Sequence, residues 1–239
     1  MPNRYLYNSD RVYSRSVGSL AVDLERSRPE PDTDLEQFHM SAASMAALAE
    51  ACAPFFNGER VLFLGDDDHM SVLLAAVGDI GAKVFEVDGR VVESLNAWRS
   101  DLRLRDYSAE VWDIRNPLDW VPKKCEGFFL NPPYSSKTGG YAIRFWLSRA
   151  LDACVQDCNG VVVMPADSSI DWVNAAWLSM QDFVTKNGFR ILAPANRGGS
   201  QLYLNTNIPG LASEALFLQR VDPSRRVREE PRAGAALYR

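Results

Sequence analysis

Arg60-Val61-Leu62-Phe63-Leu64-Gly65-Asp66-Asp67-Asp68 opens, and Gly127-Phe128-Phe129-Leu130-Asn131-Pro132-Pro133-Tyr134 closes, the central stretch of this 239-residue chain. Each short apolar run is stopped by Gly or by Asn-Pro-Pro, the pattern of a buried parallel strand. In such sheets functional groups gather just past the carboxyl ends of the strands, at the switch point. The acidic triplet and the Asn-Pro-Pro-Tyr tetrapeptide are therefore expected to meet at one rim.

Upstream, a helix is expected over Leu35 to Phe56, capped by Asp34 and carrying Phe38, Met45, Leu48 and Cys52 on one face. Downstream, strands are read at 61–64, 83–87, near 110–112, at 127–130, 161–164, 189–192 and about 215–219. Helices alternate with them over about 69–77, 90–99, 141–154 and 170–186, which implies a doubly wound α/β sheet. The last two strands have no helix between them, so the seventh must run antiparallel to its neighbour. Residues 1–34 read as a polar, loosely ordered arm, 35–221 as the α/β domain, and 222–239 as a flexible charged tail.

The net charge of −5 and pI near 5.2 disfavour a phosphate backbone as partner and suit a small cation. Cys154 and Cys158 share a helix face if the helix from Tyr141 continues. With Cys52, Cys125, His39 and His69 as the remaining soft ligands, buried free thiols are expected rather than a metal site. No signal peptide, membrane span or lipidation motif is visible, so a reduced cytoplasmic compartment is expected.

Glu86 and Asp88 end the second strand, where dinucleotide-type folds bind ribose hydroxyls. Either carboxylate serves that role, and Asp88 alternatively caps the next helix. Nucleotide folds usually place glycines after the first strand, but here Gly65 precedes Asp66, Asp67 and Asp68. Three adjacent carboxylates repel one another, so a metal, an ammonium-bearing ligand or solvent must offset them. Asp66 or Asp67 is also placed to cap the following helix. In Asn131-Pro132-Pro133-Tyr134 the prolines fix the backbone. The Asn131 amide and the Pro132 carbonyl can accept from an amine, and Tyr134 offers a face to a forming ammonium.

The strand order resembles the Rossmann-like, seven-stranded fold of the class I S-adenosylmethionine-dependent transferases. That resemblance implies that Asp113, ending the third strand, takes the adenine amine, with Trp112 or Ile114 on the base; a loop aspartate paired with Arg115 is the alternative. The tetrapeptide looks like the catalytic motif of amino-group methyltransferases acting on nucleic acid or protein. The longer pattern is Phe63 to Asp68, Asp113-Ile114-Arg115-Asn116-Pro117-Leu118, Asn131 to Tyr134 and Phe145-Trp146-Leu147-Ser148-Arg149-Ala150. It resembles the branched-chain polyamine synthases over residues 35 to 195. The resemblance implies decarboxylated S-adenosylmethionine as co-substrate and aminopropyl transfer to a polyamine, which Asp66, Asp67 and Asp68 hold or deprotonate. The family carries Asp where this chain has Asn131, and an N-terminal winged-helix domain that 34 residues cannot contain.

The expected activity is thus alkyl transfer to an amine nitrogen from S-adenosylmethionine or its decarboxylated form. Aminopropyl transfer is preferred to N-methylation of a base or other amine, and a non-catalytic binding subunit is the third reading. The expected partner is a small cationic amine or polyamine. Nucleic acid and a homodimer stay open, and no membrane is expected. Replacing Asp66 or Asp68 by Ala is expected to leave the fold intact, on the view that an exposed turn carries little core.

Overall fold

The computed structural model describes residues 16–118, 125–133, 140–192, 201–202, 212–230 and 237. Six helices are described: α1 (Val17–Ser27), α2 (Ala42–Cys52), α3 (Met70–Val77), α4 (Gly89–Asp101), α5 (Tyr141–Ala153) and α6 (Asp171–Lys186). The strands are β1 (Arg60–Leu64), β2 (Gly81–Glu86), β3 (Tyr107–Val111), β4 (Cys125–Leu130), β5 (Cys154–Pro165), β6 (Phe189–Ile191), β7 (Gln201–Leu202) and β8 (Ala212–Arg220). They form one sheet in the order β3-β2-β1-β4-β5-β8-β6, with the two-residue β7 also paired to β8. β1 to β5 run parallel, and β8 is antiparallel to both β5 and β6.

Successive side chains of a strand point to opposite faces, and the central strand shows the consequence. Val61 and Phe63 enter a core built with α1 to α4, whereas Leu62 and Leu64 enter a second core built with α5 and α6. An all-apolar run is what a strand covered on both faces requires. After β1 the chain moves outward through β2 and β3, then returns to place β4 on the other side of β1. The switch point therefore lies between β1 and β4, where Leu64 pairs with Leu130 and Gly65 stands beside Asn131.

The N-terminal segment departs from the loosely ordered arm expected. Over its described part, α1 is capped by Ser16, whose hydroxyl accepts from Ser19 N at 3.2 Å. It buries Leu20, Ala21 and Leu24 in the first core, so the boundary at residue 34 falls inside one packed unit. The helix expected over 35–56 is shorter. A 3₁₀ turn covers Thr33–Leu35, Glu36 is left-handed at φ 56°, and α2 begins only at Ala42. Ser41 takes the cap in place of Asp34, accepting from Ser44 N at 3.2 Å, and this leaves 37–39 without regular structure at the sheet rim.

Two further expectations change. β5 starts directly after α5, so Cys154 and Cys158 are strand residues rather than neighbours on a helix face. All four cysteines are buried free thiols. Over 222–230 the charged tail is strapped to α5. Arg226 and Arg228 both pair with Asp152, Glu229 pairs with Arg144 at 2.8 Å, and the Ser148 hydroxyl accepts from Glu229 N at 2.8 Å.

Candidate active site

A cleft opens at the carboxyl ends of β1, β2 and β4. Its floor is Gly65, Asp67, Glu86 and Asn131; Phe85, Trp112, Ile114 and Trp146 form one wall, and the 36–38 segment lies across it. Gly65 has φ +70°, which favours glycine, and a Cβ there would sit 2.8 Å from the Trp146 ring. The glycine thus both turns the chain and admits the indole. The buried indole N–H groups of Trp112 and Trp146 have no hydrogen-bond partner among the described residues. Unpaired buried donors are rare in folded proteins.

The three aspartates face three directions. Asp66, 3% exposed, turns inward. Its carboxylate accepts from Ser71 N at 3.1 Å and from the Ser71 hydroxyl, which also bonds the Tyr107 hydroxyl at 2.6 Å. It caps the first turn of α3. Asp68, 2% exposed, faces the N-terminal segment. It accepts from Arg28 Nη1 and Met40 N, each at 2.7 Å, and from Asn131 Nδ2 at 3.2 Å. Only Asp67, half-buried, lines the cleft.

Burial pushes the carboxyls of Asp66 and Asp67 well above the usual range, and the neighbouring carboxylates push them further. Asp68 is raised by burial to about 6, with Arg28 pulling against the rise. Glu86 is also raised by burial; its oxygens accept from Asp66 N at 2.8 Å and Asp88 N at 2.9 Å. Two carboxylate oxygens carry about four lone-pair directions, so these backbone donors do not saturate Glu86. Groups whose carboxyl is raised on folding add stability below their unfolded pKa and lose it as pH rises through the folded value. The melting temperature of the ligand-free protein is therefore expected to rise, by roughly 5 °C or more, from about pH 8 to about pH 5.5. A calorimetric pH series checks this.

Of the other residues singled out by sequence, Ile114 and Pro132 line the cleft, and Asp88 and Asp113 do not. Asp88 caps α4, accepting from Arg90 N at 2.9 Å, pairs with the Arg90 side chain and accepts from Gln37 Nε2 at 3.2 Å. Asp113 accepts from Arg115 N at 2.9 Å and pairs with its guanidinium. The hydrogen bonds of both aspartates to their arginines hold the carboxyls below the usual range, burial opposing. Both take the local alternative to a ligand role. Tyr134 and the Arg197-Gly198-Gly199 loop lie outside the described residues. Sequence reading gave Phe85 no role and did not pair Arg28 or Gln37 with the carboxylates of the site. An arginine between Ser27 and Pro29 carries no signal of a partner forty residues away.

Residues 20–207 match the family described as the branched-chain polyamine synthase A C-terminal domain. An uncharacterized protein of Methanocaldococcus jannaschii is 24% identical over 190 residues, which is 78% of this chain and 43% of that one. The chain thus spans less than half of that curated relative. The branched-chain polyamine synthase of Thermus thermophilus, solved with N4-aminopropylspermidine and 5'-methylthioadenosine, superposes with a TM-score of 0.73 at 22% identity, over 93% of this chain and 68% of that one. A putative RNA methyltransferase of Pyrococcus horikoshii gives a TM-score of 0.63 at 16% identity, over 87% and 98%.

Proposed function

The chain belongs to the branched-chain polyamine synthase A C-terminal domain family, and on that basis we propose that it moves an aminopropyl group from decarboxylated S-adenosylmethionine to an amine nitrogen of a polyamine-like acceptor. The observation that carries this reading is the pair of carboxylates on the cleft floor, Asp67 and Glu86. Burial disfavours ionising either carboxyl in the empty cleft; an entering ammonium group offsets that cost, whereas a donor's own carboxylate adds to it.

The cleft fits an adenosine-bearing donor. Phe85, Trp112 and Ile114 give an apolar wall for a purine, and the orphan indole N–H groups call for acceptors. In this assignment Glu86, rather than Asp88, takes the ribose hydroxyls, and Gly65 lets the backbone come close. The donor supplies an electrophilic carbon next to its sulfonium sulfur. The protein's part is to present a neutral amine there and to hold the rest of the acceptor. The Asn131 side chain and the Pro132 carbonyl accept N–H bonds from that amine, and Asp67 takes its proton, its raised pKa making it the better base. Tyr134 is assigned the face over the developing ammonium on its sequence position.

Methylation of an amine is the second reading, favoured by the amide at Asn131 and by the likeness to the RNA methyltransferase fold. Calorimetry with the two donors separates them. The proposal expects the decarboxylated donor to bind at least about tenfold more tightly, a difference of about 1.4 kcal/mol. Tighter binding of intact S-adenosylmethionine overturns it in favour of methylation.

A further inference from the structure

Arg28 stands outside every motif in the sequence, yet it is buried against the acidic turn. One guanidinium nitrogen donates to Asp68 Oδ1 at 2.7 Å and the other to Met40 O at 2.7 Å. Asp68 receives three donors: Arg28, the Met40 amide and, on its other oxygen, Asn131 Nδ2. A carboxylate holding three donors is acting as an ionised acceptor. With its NH₂ turned to Asp68, the end of the Asn131 amide that an amine in the cleft can meet is the carbonyl oxygen. An amide turned the other way would point N–H donors at the N–H groups of the nucleophile.

We propose that Arg28 is a positioning residue, which keeps Asp68 ionised and through it fixes the Asn131 amide with its carbonyl toward the acceptor amine. The proposal rests on the amine-transfer reading above and adds to it the group that sets the orientation. Without Arg28, Asp68 keeps the burial that raises it and the repulsion of Asp66 and Asp67 on its own turn, and both favour its protonation. The remaining titratable neighbours do not replace the cation, because burial holds His39 and His69 neutral, at about 3 and about 4. A protonated Asp68 has an O–H to donate, and an Asn131 carbonyl turned toward it would satisfy that donor. The nucleophile then meets NH₂.

Two measurements test this. The first is independent of turnover: the side-chain NH₂ resonances of Asn131, assigned by their loss in Asn131→Asp, are followed against pH. The wild-type protein is expected to show a midpoint near the value of about 6 given by burial. Arg28→Gln is expected to raise it by a unit or more. An unmoved midpoint in folded Arg28→Gln overturns the proposal. The second is steady-state kinetics with decarboxylated S-adenosylmethionine and spermidine. Arg28→Gln is expected to lower kcat at neutral pH by the factor that rise sets, roughly tenfold for two units, with KM within about threefold, the loss shrinking toward about pH 9 as Asp68 ionises. A loss that is the same at every pH overturns the proposal. Should Arg28→Gln fail to fold, Arg28→Met combined with Asp68→Asn removes both buried charges together. That variant is expected to fold and stay at least about 100-fold slow, because no ionised acceptor orients Asn131. Recovery of wild-type kcat would reduce Arg28 to a structural partner of Asp68. If the wild-type protein turns over neither donor, the transfer reading fails, and the NH₂ titration alone decides the role of Arg28.

Discussion

Asp67→Asn is expected to lower kcat by about 10²- to 10⁴-fold, the span usual for loss of a positioned general base, without lowering the melting temperature. Asp67 is the member of the acidic triplet that lines the cleft. Its carboxyl is raised by burial first, then by Asp68 and Glu86, so ionising it in the empty cleft is unfavourable. Asparagine fills the same volume without the charge, and the protein should become as stable or more stable. The two halves of the prediction belong together: a side chain that costs stability and carries activity is placed for chemistry. Steady-state kinetics and differential scanning calorimetry on the same preparation check them. Retained activity removes Asp67 as the base.

Asp68→Ala is expected to behave in the opposite way. Sequence reading took this turn to be exposed and Asp68 to be replaceable by Ala with the fold intact. Instead the Asp68 and Arg28 side chains are 3% and 2% exposed, and the pair is closed at 2.7 Å. Removing one partner of such a pair leaves a buried uncompensated charge, at a cost of about 3–5 kcal/mol. For a chain of this size that lowers the melting temperature by roughly 10 °C. It also releases Met40 N and the Asn131 amide, so the 36–40 segment over the cleft loses its anchor. Adding Arg28→Met to Asp68→Ala should restore most of the stability. A melting temperature unchanged in the single variant contradicts this reading of the turn.

The sheet was legible because its central strands are covered on both faces and therefore carry unbroken apolar runs, 61–64 and 127–130 among them. The absence of a helix between the last strands gave the antiparallel β8 by chain geometry alone. Helix α1 was missed because its apolar stripe, Val17, Leu20, Ala21 and Leu24, is narrow and lies among charged residues. The site was legible by position but not by direction. Which of three adjacent aspartates faces the cleft depends on the left-handed turn at Gly65 and on Ser71 and Arg28, each claiming one carboxylate. Asp88 and Asp113 illustrate the same limit. Each ends a strand where a ligand role is expected, and each is satisfied by an arginine two residues on.

The central claim is the identity of the transferred group, and a competition assay tests it most directly. The protein is incubated with spermidine and equal concentrations of S-adenosylmethionine and its decarboxylated form, and the products are read by mass spectrometry. The account predicts acceptor heavier by one aminopropyl group, with 5'-methylthioadenosine released. Acceptor heavier by one methyl group, with S-adenosylhomocysteine released, would contradict it.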